Sequence, residues 1–196
     1  MSTCQSVISS PNDHRSYRHL TLTNGLRVLL VQDMHSAQAA ASMAVNVGHF
    51  DDPQSRPGMA HFLEHMLFLG TAKFPEAGGY HSFINQHGGS NNAWTGTEHT
   101  NFFFAIDPLV FAEALDRFSQ FFIAPLFNQE LVERERHAIE SEFSLKQKDD
   151  IRRIYQVLKE TVNPGHPFCK FSVGNLQTLG GDEQQLREEL LTFYNS

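Results

Sequence analysis

Cysteine is nearly absent from this chain. Its 196 residues contain two, Cys4 and Cys169, far apart in sequence. So distant a pair suits free thiols in a reducing compartment better than a disulfide framework. Long apolar runs are missing too: no stretch approaches the ~18 residues that a membrane-spanning helix needs. The N-terminal residues lack a basic segment leading into an apolar one, so they do not read as a secretory signal. The expected compartment is cytoplasmic, with the periplasm open if the natural chain starts elsewhere. Basic clusters are also lacking. Fifteen Lys+Arg against 22 Asp+Glu give a net charge of −7, and the lack of any Lys/Arg-rich run argues against nucleic acid as the main partner. No internal repeat or low-complexity tract is present. The remaining composition, 40% hydrophobic and 19% charged, is that of a globular chain long enough to bury a sizeable core.

Against this background one five-residue stretch stands out: His61-Phe62-Leu63-Glu64-His65. On an α-helix, positions i and i+4 project from one face, so both imidazoles can reach one Zn²⁺. Glu64 falls beside them, near enough to act on a metal-bound water. The arrangement is H-x-x-E-H, the inverted form of the H-E-x-x-H zinc-peptidase motif. With 11 His and 13 Glu in the chain, chance yields only ~0.04 such windows. The context predicts a helix: Pro57-Gly58 stands before an apolar run over 59–69, and Gly70 follows it. That run is apolar nearly all round, so the helix is expected to be buried, and its polar side chains to have partners.

Along the rest of the chain, residues 1–16 read as a loose polar tail ahead of a domain over 17–196. Residues 17–22 and 26–32 suit a hairpin with an Asn24-Gly25 turn. Residues 39–47 form a third strand candidate, and 48–56 a loop leading into the motif helix. A second helix is expected over 79–87, then strands over 92–95 and 100–106. Asp107-Pro108 opens a helix over 109–123. A long polar helix runs from 128 or 129 to about 161, a loop covers 163–168, and Gly180-Gly181-Asp182 precedes a last helix. Hairpins and helices without regular βαβ alternation predict an α+β fold, mainly antiparallel sheet packed against helices in a sandwich.

A catalytic zinc site takes three protein ligands and keeps one position open. The long helix offers Glu130, Glu133, Glu135, Glu140 and Glu142. Glu135 and Glu142 lie two turns apart on one face with Ile139 between them, and residue patterns alone do not choose between the two. His81, His87, His99 and His137 share no ligand-like spacing with a third donor and read as ordinary polar residues.

The run Gly58-Met-Ala-His-Phe-Leu-Glu-His-Met-Leu-Phe-Leu-Gly70 resembles the insulinase/pitrilysin family of inverted-motif zinc metallopeptidases, particularly its insulin-degrading branch. So do Gly89-Ser-Asn-Asn-Ala-Trp-Thr-Gly-Thr-Glu-His-Thr-Asn101, Ala114-Leu-Asp-Arg-Phe-Ser-Gln-Phe-Phe122 and Asn163-Pro-Gly-His-Pro-Phe168. The resemblance extends over about residues 17–194. It implies a third ligand 77 residues after the second His, which is Glu142, and a supporting acidic residue seven before that, Glu135. It implies hydrolysis of peptide bonds with zinc on His61, His65 and Glu142, Glu64 as general base, and Glu135 orienting a ligating His or lending negative charge. It matches Asn92-Ala93-Trp94 to an edge strand that holds extended peptide substrate. It also implies a chain truncated at its C-terminus: family domains continue past a helix like 182–196, and complete enzymes add further domains in two halves that enclose a chamber. The expected partners are therefore peptide substrates and those remaining domains, and the fragment alone is expected to be weakly active or inactive. Two alternatives stand beside this reading: a non-catalytic scaffold member of the family, and a peptidase that processes presequences or small peptides.

Overall fold

The computed structural model describes residues 3–5 and 7–196. The fold is α+β, as the hairpins and helices predict, and it divides into two compact units, Met1–Gln38 and Ala39–Ser196.

The first unit is a three-stranded antiparallel sheet, β1 (Thr3–Gln5), β2 (Ser16–Thr21) and β3 (Arg27–Gln32), in that order. The β2–β3 hairpin pairs Thr21 with Arg27 and Ser16 with Gln32. Gly25 at φ 87° supplies the left-handed residue its turn requires. The expected loose tail is corrected in part: Thr3–Gln5 forms a strand on β2, with Thr3 opposite Thr21. Three residues are too few to show a periodicity, and the open backbone edge of β2 supplies the pairing. The divisions expected at 1–16 and 17–196 accordingly differ from the two units.

The second unit carries β4 (Ala39–Val45), α1 (Met59–Leu67), α2 (Gly79–Gln86), β5 (Ser90–Thr95), β6 (Thr100–Ile106) and α3 (Phe111–Ser119). These are followed by α4 (Gln129–Lys146), α5 (Asp150–Thr161) and α6 (Glu183–Tyr194). Its sheet is antiparallel in the order β4-β6-β5, which puts β6 in the middle and leaves β5 at an edge. Alternate residues of β6, Phe102, Phe104 and Ile106, enter the core. There they meet Met59, Phe62 and Met66 of α1, Tyr80 and Ile84 of α2, Ala114 and Phe118 of α3, Val132 and Ile139 of α4, and Leu186 and Leu190 of α6. α1 packs against both β5 and α4. That placement decides which residues can reach its histidines.

Two expected helices differ in detail. The helix read as continuous to about residue 161 breaks after Lys146, and a second begins at Asp150. The Asp149 carboxylate accepts from the backbone N–H of Ile151 and Arg152, capping a new helix where helical periodicity alone would continue the old one. The helix read over 109–123 is α-helical at Phe111–Ser119, with a 3₁₀ turn on each side. No helix among the described residues is long and apolar enough to cross a membrane.

Candidate metal centre

The motif helix starts at a tightly built junction. Gly58, its N-cap, has φ 94° and no side chain to cap with. The Asp52 carboxylate serves instead, accepting from the backbone N–H of Gly58 and of Ala60, each at 2.7 Å. Burial pushes this carboxyl up to about 6, although the two N–H donors and the nearby Lys170 cation pull the other way. Lys170 Nζ donates to the backbone carbonyls of Phe50 and Asp52, tying down the loop that carries the cap. A Cβ on Gly58 would lie 2.3 Å from the Cα of Gly174, so the helix start and the 173–174 backbone approach as closely as they do only because residue 58 is glycine. Replacing Asp52 with Ala leaves two buried N–H groups without an acceptor and is expected to cost about 2–3 kcal/mol. Denaturant midpoints would measure this, with Asp52→Asn, which keeps one acceptor oxygen, losing less.

That close approach brings the Val173 carbonyl to His61, whose Nδ1 lies 2.7 Å from it. A carbonyl only accepts, so Nδ1 carries the hydrogen and the Nε2 lone pair faces the other way. His65 is held similarly: its Nδ1 lies 3.3 Å from Glu135 Oε2, while Arg134 grips the other oxygen of Glu135 at 3.0 Å. The two Nε2 atoms turn toward Glu142, at 3.7 Å for His61 and 3.4 Å for His65. His61, His65 and Glu142 each offer one donor atom within 4.8 Å of the others. Lys146 Nζ is bonded to Glu142 Oε2 at 2.9 Å.

The charges follow from this arrangement. Burial, helped by the neighbouring His65, takes His61 down to about 4, so it is neutral. Burial opposes charge on His65 too, but the carboxylates of Glu135 and Glu142 on its two ring nitrogens outweigh it and raise His65 to about 9. The hydrogen bond from His65 holds Glu142 well below the usual carboxylate range against burial, with help from Lys146. Glu64 is 8% exposed and accepts from the Thr95 hydroxyl at Oε2. Burial pushes its carboxyl up despite that bond.

These groups line an open cleft of about 650 Å³. Its walls include Phe68 and His81, whose rings stack with centroids 4.9 Å apart, and Asn92, Ala93 and Trp94 of β5. Among the described residues β5 pairs only with β6. Its side chains alternate, so that Thr95 faces inward toward Glu64 while Trp94 is exposed at the rim. The structure therefore brings every site residue read from the sequence to one cleft: donor atoms of His61, His65 and Glu142 converge, Glu135 stands behind His65, and Glu64, Asn92, Ala93 and Trp94 line the same walls. Sequence reasoning missed Asp52, Thr95, the Val173 carbonyl and the place of His81 in the wall. Only for Asp52 was a signal available, an acidic residue a few positions before a helix that lacks a capping side chain of its own.

A sequence model of the insulinase family (peptidase family M16) matches residues 27–166. The chain belongs to that family. Among its insulinase-family relatives, the A-factor-processing enzyme of Saccharomyces cerevisiae is 46% identical over 188 residues, covering 94% of this chain and 18% of that protein. The insulin-degrading enzyme of Homo sapiens is 43% identical over 194 residues, covering 97% of this chain and 19% of that protein. A crystal structure of pitrilysin superimposes with a TM-score of 0.94 at 35% identity, over 100% of this chain and 21% of that one. The chain thus spans about a fifth of the length of these insulinase-family proteins.

Proposed function

We propose that this chain is the zinc-bearing N-terminal portion of a larger metalloendopeptidase that hydrolyses peptide bonds in peptides and small unfolded polypeptides. The observation that carries the reading is the convergence of the His61, His65 and Glu142 donor atoms at one point of a cleft, with Glu64 beside them. The donor set suits zinc. Two imidazole nitrogens and one carboxylate oxygen make up the three-ligand complement of a hydrolytic site. The N–O separations of 3.4 and 3.7 Å are near the ~3.3 Å edge of a tetrahedron with ligand bonds of about 2.0–2.1 Å. Both Nδ1 atoms are already engaged, which aims both Nε2 atoms inward. When bound, zinc supplies a Lewis acid that polarises the scissile carbonyl and acidifies water.

The residues around it have separable tasks. Glu64 takes the proton of the attacking water and passes it to the leaving amine, and its raised affinity for a proton suits that transfer near neutral pH. Thr95 holds Oε2 and leaves the other oxygen of Glu64 to exchange the proton. Glu135 fixes the ring of His65, and the Val173 carbonyl fixes that of His61. The edge of β5 at Asn92-Ala93-Trp94, which has no partner strand among the described residues, takes an extended peptide as an added strand, through backbone bonds that tolerate many sequences.

Because the chain spans a fifth of its relatives, domains beyond these residues complete the peptidase, and the chain alone turns over little. The test is metal content followed by chelation. Elemental analysis is expected to find about one zinc per chain, and the full-length protein to cleave an unstructured peptide until a chelator removes the metal. A chain that takes up no zinc on addition, or cleavage indifferent to chelation, would sink the reading. The name of the yeast relative favours a second one, in which a peptide precursor is matured at one or a few bonds. A single dominant product from mixed peptides distinguishes processing from general degradation.

A further inference from the structure

We propose that the α4–α5 wall of the cleft selects peptides bearing a carboxylate, and that Arg152 is the residue that binds it. The proposal rests on the peptidase reading above and names the substrate class of that site. Three Lys and Arg side chains line the cleft, Arg134, Lys146 and Arg152. The first two are answered by carboxylates of the site: Arg134 pairs with Glu135 at 3.0 Å and Lys146 with Glu142 at 2.9 Å. Arg152 is not answered: among the described residues no carboxylate pairs with its guanidinium. Its acidic neighbours are committed elsewhere. Asp150 pairs with Arg153 at 3.0 Å, and the Asp149 carboxylate caps the backbone of Ile151 and Arg152.

Helix stability does not account for a cation here. Arg152 sits in the first turn of α5, where the positive end of the helix dipole disfavours positive charge. Its cost is offset if an anion arrives from outside. The charge balance of the cleft points the same way. Three carboxylates, Glu64, Glu135 and Glu142, balance these three side chains, and a dication held by His61, Glu142 and a deprotonated His65 would tip the cleft positive on a chain whose net charge is −7. Such a cleft concentrates anionic groups. The planar guanidinium of Arg152 matches a carboxylate in two-pronged geometry that a lysine cannot offer. The carboxylate can be an internal Asp or Glu side chain or the free C-terminus of the peptide.

Three nine-residue peptides that differ only in charge separate these cases: one with a central Glu and an amidated end, one with Gln and a free C-terminus, and one with Gln and an amidated end. Binding to the zinc-loaded Glu64→Gln chain is followed by fluorescence anisotropy at low and high salt. The Glu peptide, the free-end peptide or both are expected to bind roughly fivefold more tightly than the neutral one at low salt, an advantage that shrinks as salt rises. That ratio is expected to fall to about one in Arg152→Gln and to invert in Arg152→Glu. If all three peptides bind equally well, or the preference survives Arg152→Glu, the proposal is overturned while the peptidase reading stands. If zinc is bound and no peptide binds at all, peptide capture in this cleft fails and the proposal falls with it.

Discussion

Glu64→Gln is expected to keep zinc uptake and to lower the peptide hydrolysis proposed for the full-length protein by roughly 10²–10⁴-fold in kcat, the usual size of a general-base contribution. The substitution is nearly isosteric, and the amide oxygen can still accept from the Thr95 hydroxyl that now bonds Oε2. What disappears is the ability to take a proton, while the metal-facing atoms of His61, His65 and Glu142 are untouched. Glu64 lies outside the His61, His65 and Glu142 donor group, as expected where neighbouring helix positions 64 and 65 diverge by about 100°. Because Glu64 is buried and its carboxyl is pushed up, the neutral amide removes a desolvated charge, and folding stability does not fall. The measurement is kcat in the full-length protein beside zinc content of the same preparation. Normal kcat in the variant would show that another group acts as base.

His65→Ala and Glu142→Gln have the other large effect. Each removes one of three converging donors, so zinc affinity is expected to fall by more than the 10–100-fold typical of losing an outer hydrogen-bond partner. Glu135→Gln, which only loosens the ring of His65, stays within that range. Competition with a chromophoric chelator orders the three, and Glu142→Gln matching Glu135→Gln would remove Glu142 from the ligand set. The wild-type affinity is also expected to depend on pH in a defined direction. Burial works against the charge on His65, yet Glu135 and Glu142 together lift it to about 9, so at pH 7 a metal must displace its proton. Affinity therefore rises about tenfold per pH unit from neutrality and levels off above about pH 9. His61, at about 4, is already neutral there and adds nothing to the slope.

The His61/Glu64/His65 constellation was legible because its geometry is local: i and i+4 share a face of any α-helix, and Pro57-Gly58 with Gly70 mark where that helix runs. The hairpin and β6 were legible for the same reason, since alternation and a turn glycine are properties of adjacent residues. The third donor was half legible. The stripe of Glu135, Ile139 and Glu142 on α4 was visible as a spacing, but glutamates on helices mostly face water, and spacing alone did not separate these two. Only the packing of α4 against α1 puts Glu142 on the Nε2 atoms and Glu135 on an Nδ1 atom. The break between α4 and α5 and the pairing of β1 were not legible, since a capping side chain and an open strand edge act through partners that periodicity does not register.

By itself, then, the amino-acid sequence determined the motif helix, the three residues it presents, the α+β class and the absence of any apolar run long enough to span a membrane. Each depends on neighbours within a few positions, where backbone geometry leaves little choice. The tertiary structure alone decided that the Val173 carbonyl orients His61, that Thr95 holds Glu64, that Asp52 caps α1 from outside the helix, and that Arg152 lines the cleft with no carboxylate partner among the described residues. Those contacts join residues distant along the chain, and packing, not propensity, chooses among the many partners that could have filled each place.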